Sequence, residues 1–382
     1  MAASSWSSIV QRIGVSGFLF AVFFSDACWG AQDSYLVQGE YLGTYSPAKT
    51  GSSPWAAQVV ALDRVTKFRI TFAKGGLPGE GWDKTTQKDA FANSDGTRVV
   101  FTSGGTALTV EGGGDSLVIA DNQGGSGVLK KVHRVSPTAN RPAPTGALVL
   151  FNGMGTTAWK DGKTTSDSLL LSGATTLKTF QDFNLHLEFR MPYSVTDALY
   201  PDRGNSGVYL QNRFELQIYD SFGWQPPYDT TYDHSYGIDA PRSCGSLYQI
   251  SAPKINATYP PGTWQTYDIA FKAAKFDGLG NLTAGAQATV YQNGVLIQDK
   301  VNLMAVTLAA VLPMNNLPGP IFLQFHLSDI VYKNIWLEEN PSEPIGIPVS
   351  IRKENQAVKK LGLSGTRHKV VRLDGRVLRR SR

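Results

Sequence analysis

The chain has 382 residues, 42% hydrophobic and 11% aromatic, with 39 glycines and 20 prolines. That length exceeds one ordinary core, and the composition suits short strands joined by tight turns, so an all-β fold in two domains is expected and a helical bundle is not. The net charge of +5 is concentrated: residues 341–382 hold 11 Lys or Arg against Glu343, Glu354 and Asp374, which leaves the rest at −3 and gives no support for nucleic-acid binding.

At the start, Arg12 precedes an apolar run from Ile13 to Phe24, and Cys28 and Gly30 supply small residues for a cleavage site. Residues 1–30 therefore read as a secretory signal peptide, and the protein as exported to the periplasm, the cell surface or the medium. The run is short for a membrane span. The alternative is a lipoprotein attached through Cys28, for which Ser25, Asp26 and Ala27 make a weak lipobox. After cleavage only Cys244 remains, so an intrachain disulfide and a cysteine-rich zinc site drop out.

Residues 31–135 carry short apolar or alternating runs: 35–45, 56–62, 68–73, 98–102, 108–111, 117–120 and 128–135. Gly75-Gly76, Asp95-Gly96 and Gly112-Gly113-Gly114 punctuate them, which predicts a small antiparallel β-domain. Its chemistry is not visible; Trp82, Asp83, Lys84 and His133 read as turn and packing residues. Residues 136–147 hold three prolines and read as an extended linker. From Leu148 to residue 340 a second set of strands follows, at 183–191, 207–219, 264–273, 288–292, 295–298, 321–327 and 329–337. Asn293-Gly294 predicts a type I′ hairpin turn. The segment 341–382 reads as a solvated basic tail, with association to an anionic cell surface as the alternative.

Residues two apart on a strand share a face. In 184–190 this groups Asn184, His186, Glu188 and Arg190 opposite Leu185, Leu187 and Phe189. In 213–220 it groups Arg213, Glu215, Gln217 and Tyr219 opposite Phe214, Leu216 and Ile218, and in 323–326 it sets Gln324 and His326 against Leu323 and Phe325. Solvated faces of this kind are common in antiparallel sheets. Here, however, the polar types are Glu, Arg, Gln and His, the multidentate groups that bind sugar hydroxyls. Tyr209, Tyr219, Trp224, Tyr228 and Tyr248 could stack on sugar rings.

The motifs Gly204-Asn-Ser-Gly-Val-Tyr-Leu-Gln211, Arg213-Phe-Glu-Leu-Gln217 with Asp220-Ser-Phe-Gly223, and Cys244-Gly-Ser-Leu-Tyr248 are followed in order by four others. These are Pro260-Pro-Gly-Thr-Trp-Gln-Thr-Tyr-Asp268, Asn293-Gly-Val-Leu-Ile297, Gly319-Pro-Ile-Phe-Leu-Gln-Phe-His326 and Tyr332-Lys-Asn-Ile-Trp336. Across 148–339 this series resembles the 3-keto-disaccharide hydrolase domain family. Leu327 and Lys333 stand where many relatives carry Gly and Arg. The resemblance implies a concanavalin A-like jelly-roll sandwich, preceded here by the small antiparallel β-domain.

It also implies a carbohydrate substrate and cleavage of a glycoside oxidised at C3. That chemistry needs a base at C2, a positive or electrophilic group at the C3 oxygen, and an acid for the leaving oxygen. Glu215 and His326 are the candidate bases, and Arg213 or Arg190 the candidates for the enolate oxygen. A divalent ion held by Glu188, Glu215 and His326 is the alternative electrophile. Asn205, Gln217, Tyr219, Asp220, Tyr248 and Gln324 are expected to line the sugar. Two rival functions are a retaining glycoside hydrolase built on Glu215 and Asp220, and a noncatalytic carbohydrate-binding or cell-surface module.

Overall fold

The computed structural model describes residues 35–48, 51–62, 67–84, 86–93, 99–103, 105–111, 114–194, 203–224 and 242–346. The expected signal peptide, Tyr228 and residues 347–382 lie outside the described residues. The described residues are nearly all β, with one short helical turn at 35–37, and among them no helix is long and apolar enough to cross a membrane.

The first domain is one antiparallel sheet of eight strands: β1 Gly39–Ser46, β2 Ser53–Ala61, β3 Lys67–Lys74, β4 Gln87–Asn93, β5 Val99–Ser103, β6 Thr106–Glu111, β7 Ser116–Asp121 and β8 Ser126–Val132. Their order is β4-β3-β2-β1-β8-β7-β6-β5. The end strands β4 and β5 lie against each other, so the sheet curls round a single core that includes Tyr41, Trp55, Ile70, Phe101, Ile119 and Leu129. In β2 and β3 both faces are buried. Trp55, Val59, Phe68 and Ile70 fill the interior, while Val60, Arg69 and Thr71 point outward to the second domain.

The second domain contains β9 Leu148–Phe151, β10 Trp159–Lys160, β11 Leu170–Leu171, β12 Ala174–Thr176, β13 Phe183–Arg190, β14 Ser206–Leu210, β15 Phe214–Ile218 and β16 Gln265–Lys272. It continues through β17 Lys275–Phe276, β18 Leu282–Ala284, β19 Ala286–Gln292, β20 Val295–Leu303, β21 Phe322–Leu323 and β22 Val331–Glu339. One sheet runs β10-β12-β21-β14-β15. The other runs β11-β22-β13-β16-β19-β20, with β9 also on β22, and β17 and β18 form a separate ribbon. The two sheets pack as a jelly-roll sandwich on Leu185, Leu187, Phe189, Val208, Leu210, Leu216, Ile218 and Ile269, all fully buried.

The Asn293-Gly294 turn joins β19 and β20 with positive φ at both residues (50° and 77°), as type I′ requires. The run expected as one strand over 207–219 is instead a hairpin. Gln211 and Asn212 both take positive φ (54° and 57°), Arg213 N donates to Leu210 O at 3.1 Å, and β14 folds back on β15. This turn contains no glycine and reads as strand in the sequence. It sets Tyr209 directly across from Glu215.

The two domains are tied together. The Arg69 guanidinium and the Thr71 hydroxyl both donate to Gly223 O, at 2.6 and 2.7 Å, and Arg69 lies 4.0 Å from the Trp224 ring centre. Gly223 has φ 78°, and a Cβ there would stand 2.4 Å from Val60, so the close approach requires glycine. Residues 136–141 are no free spacer either. Ser136 and Thr138 hydroxyls meet Thr266 Oγ1 at 2.6 and 2.8 Å, and Arg141 donates to Asp268 at 3.1 Å. The first residues of the expected tail are also packed: Ile345 is buried, and Ile345 N donates to Asn184 Oδ1 at 2.9 Å.

Candidate active site on the five-stranded sheet

Alternation in β14 and β15 sends Val208, Leu210, Phe214, Leu216 and Ile218 into the sandwich and Gly207, Tyr209, Glu215 and Gln217 to the outer face. That outer face is recessed, because Tyr209, Glu215 and Gln217 are only 1%, 3% and 3% exposed. The segment holding Ser246 and Tyr248 runs beside β15: Gln217 N donates to Ser246 O at 2.9 Å and Tyr248 N to Glu215 O at 3.0 Å. Across the sheet, Gln324 N donates to Gly207 O at 2.9 Å and Gln324 Nε2 to the Tyr209 hydroxyl at 3.0 Å. The register pairs Glu215 with Tyr209 and Tyr209 with Phe322, and His326 follows in the bend just after β21. At that end Asn205 Nδ2 and His326 Nδ1 are 3.1 Å apart.

Gly207 makes room for the acid. A Cβ at that position would sit 2.5 Å from Glu215 Oε1, so the carboxyl lies over bare backbone. Burial pushes the Glu215 carboxyl up to about 7, an effect that Tyr209 partly offsets by hydrogen bonding. With its amide nitrogen turned toward them, Gln217 donates to Glu215 Oε1 at 3.3 Å and to Ser206 O at 2.5 Å. Among the described residues, Glu215 Oε2 is buried without a hydrogen-bond partner. A buried carboxyl oxygen left unpaired carries a desolvation cost that a substrate donor would relieve.

Of the sequence candidates, the structure brings Glu215, Gln217, Tyr248 and Gln324 together, and Asn205 with His326 at the same sheet's end. It does not bring the others there. Glu188 and Arg190 belong to β13, whose polar face is the outer surface of the opposite sheet, so the apolar core lies between them and Glu215. Glu188 is enclosed by Asn140 N at 2.6 Å, Asn334 Nδ2 at 2.8 Å and Lys333 Nζ at 3.4 Å. Burial raises its carboxyl, but bonds from His186, Asn334 and Asn140 outweigh that and hold it below the usual range. Arg190 stacks on Trp264 at 4.9 Å. The alternative of an ion held by Glu188, Glu215 and His326 therefore has no common site, and among the described residues no group of three or more His, Cys, Asp or Glu could hold a metal.

Arg213 is buried but turned to the loop after β20. It donates to Pro313 O at 2.7 Å and Asn315 Oδ1 at 2.5 Å, so its donors are spent on structure. Tyr219 and Trp224 pack with Val60, Leu62 and Phe222 in the interdomain cluster and offer no platform for a sugar. Asp220 accepts from Arg203 Nε at 2.5 Å, and the same Arg203 donates to Ala61 O of the first domain at 3.1 Å. Strand parity could not show any of this, because it separates core from surface but does not say which of two outer surfaces a residue occupies. Tyr209's pairing with Glu215 was likewise hidden by the glycine-free turn.

A two-sheet sandwich thus recesses a carboxyl, two amides and a tyrosine on one sheet, the small set of convergent polar groups that marks a ligand site. The chain belongs to the family of the 3-keto-alpha-glucoside-1,2-lyase-like domain, whose model matches residues 146–338, and this membership makes it a glycoside-acting, hydrolase-like protein. Among solved structures, a proposed glycosyl hydrolase from Parabacteroides distasonis ATCC 8503 shares 28% identity over 52% of this chain and 85% of its own, with a TM-score of 0.43. A second structure from that organism, described in the same words, shares 17% identity over 55% of this chain and 99% of its own, with a TM-score of 0.38. No curated protein matches the chain.

Proposed function

We propose that the protein cleaves 3-keto-glycosides by proton abstraction at C2, elimination at C1 and hydration. The observation that carries this reading is Glu215, a 3% exposed carboxyl that burial pushes up to about 7 and whose Oε2 has no hydrogen-bond partner among the described residues. A base working at neutral pH should titrate near it. In the reaction, Glu215 takes the C2 proton and the electron pair moves to the C3 oxygen as an enolate. The enolate then expels the C1 substituent, which leaves as an alcohol after protonation. Water adds at C1 and a proton returns to C2, giving the free 3-keto sugar. A 3-keto group is needed because it acidifies the C2 hydrogen.

Asn205 suits His326 to donate a hydrogen bond to a substrate oxygen. An amide Nδ2 can only donate to Nδ1, which leaves the neutral ring's proton on Nε2. We assign His326 to the leaving oxygen or the enolate oxygen, and Gln217 and Gln324 to the hydroxyls between. The retaining-hydrolase reading loses its second carboxylate, since Asp220 is taken by Arg203. The hydrophobic leader supports export, which N-terminal sequencing of the mature protein tests. For the activity, purified protein is given a 3-keto-glucoside and the released aglycone is followed. Glu215→Gln should lower kcat at least a hundredfold; unchanged turnover by both Glu215→Gln and His326→Ala refutes the assignment.

A further inference from the structure

We propose that Tyr209 is a positioning residue of this site: its phenol, backed by Gln324, ties down one side of the Glu215 carboxyl and leaves Oε2 as the reacting atom. The inference rests on the reading of Glu215 as the base and adds a residue to it.

Three geometric facts carry it. Tyr209 and Glu215 are cross-strand partners on one face of the β14–β15 hairpin, which places their Cβ atoms about 5 Å apart. Gln324 Nε2 stands 3.0 Å from the Tyr209 oxygen, and an amide N–H can only donate, so the phenol's own proton is left for another acceptor. Both side chains are enclosed, at 1% and 3% exposure, and Gly207 lets the carboxyl lie flat over the strand between them. Gln217 supplies a second donor to Oε1 once its nitrogen faces the acid. The carboxyl is thus held from one side, with Oε2 unpaired. A donor chain from amide to phenol to carboxylate polarises along its length, so each link stabilises the ionised acid.

Removing the phenol leaves the ring and its packing but withdraws that support. Tyr209→Phe should move the Glu215 titration midpoint upward by about one pH unit. Gln324→Leu should move it the same way by less, because the phenol then donates without an amide behind it. The measurement is 13C NMR titration of carboxyl-labelled protein, with Glu215 identified by the signal missing in Glu215→Gln, so it needs no substrate. If 3-keto-glucosides are turned over, the acidic limb of kcat/KM should follow the same shift, whereas a purely structural defect lowers amplitude and leaves the limb in place. Titration shifts without turnover in any variant or the wild type would refute the proposed reaction and support the Tyr209–Glu215 link. An unchanged midpoint in both folded variants would overturn the link whatever the activity.

Discussion

Replacing Glu215 by Gln should make the protein more stable while it removes activity, and the gain should depend on pH. The carboxyl's ordinary value of 4.5 is pushed to about 7 by burial. The folded state therefore keeps this proton longer than the unfolded state does. Its contribution to stability is fully present below pH 4.5 and is lost as pH rises through about 7. The distance between those values, at about 1.4 kcal/mol per pH unit, amounts to about 3 kcal/mol by pH 8. Glutamine has the same shape and no charge to bury, so the variant should exceed wild type by up to that amount at pH 8 and match it near pH 4. For a protein of this size the gain corresponds to a rise in Tm of roughly 4 °C. Urea melts of both proteins from pH 4 to 8.5 measure the difference directly. A gap that is flat with pH, or that favours wild type at pH 8, would refute the claim that Glu215 is held in a hostile, desolvated place.

Three further outcomes follow from the geometry. Glu188→Gln should cost about 2 kcal/mol by leaving donors of Asn140 and Asn334 poorly matched, yet change turnover by no more than about twofold, because β13 faces away from Glu215; a tenfold fall in kcat would place Glu188 in the site. Arg203→Ala breaks a buried ion pair and the contact to Ala61 O together, so denaturant melts should show a loss of about 3 kcal/mol, and a loss under about 0.5 would mean the pair is solvated. Burial lowers the His186 imidazole, but Asp268 at 2.8 Å and Glu188 outweigh that and hold it above its ordinary 6.5. The stability it lends is present below pH 6.5 and lost as pH rises through the folded value, so the difference between wild type and His186→Gln should shrink toward pH 9; a difference that grows with pH contradicts the sign.

The strands were legible because alternation is local. Leu185-His186-Leu187-Glu188 and Phe214-Glu215-Leu216-Gln217 declare their inner and outer sides within four residues, and Asn293-Gly294 declares its turn. The location of each polar face was not legible. A sandwich has two outer surfaces separated by its core, and parity is the same on both. Glu188 and Glu215 thus read alike, though the first is held by Asn140 and Asn334 and paired with Lys333, and the second lies over Gly207. Tyr219 and Asp220 misled for a related reason. Their roles are set by Val60, in the other domain, and by Arg203, on the far side of the β14–β15 hairpin. The Gln211-Asn212 turn carried no glycine or proline, so the hairpin that pairs Tyr209 with Glu215 left no mark in the composition.

Turnover of a 3-keto-glucoside in deuterated water, stopped after a small fraction has reacted, tests the central claim most directly, with mass spectrometry reading the released sugar. Proton abstraction by Glu215 predicts one deuterium at C2 in the product, formed by wild type and not by Glu215→Gln. Product carrying no deuterium at C2, or made equally well by Glu215→Gln, would contradict the account.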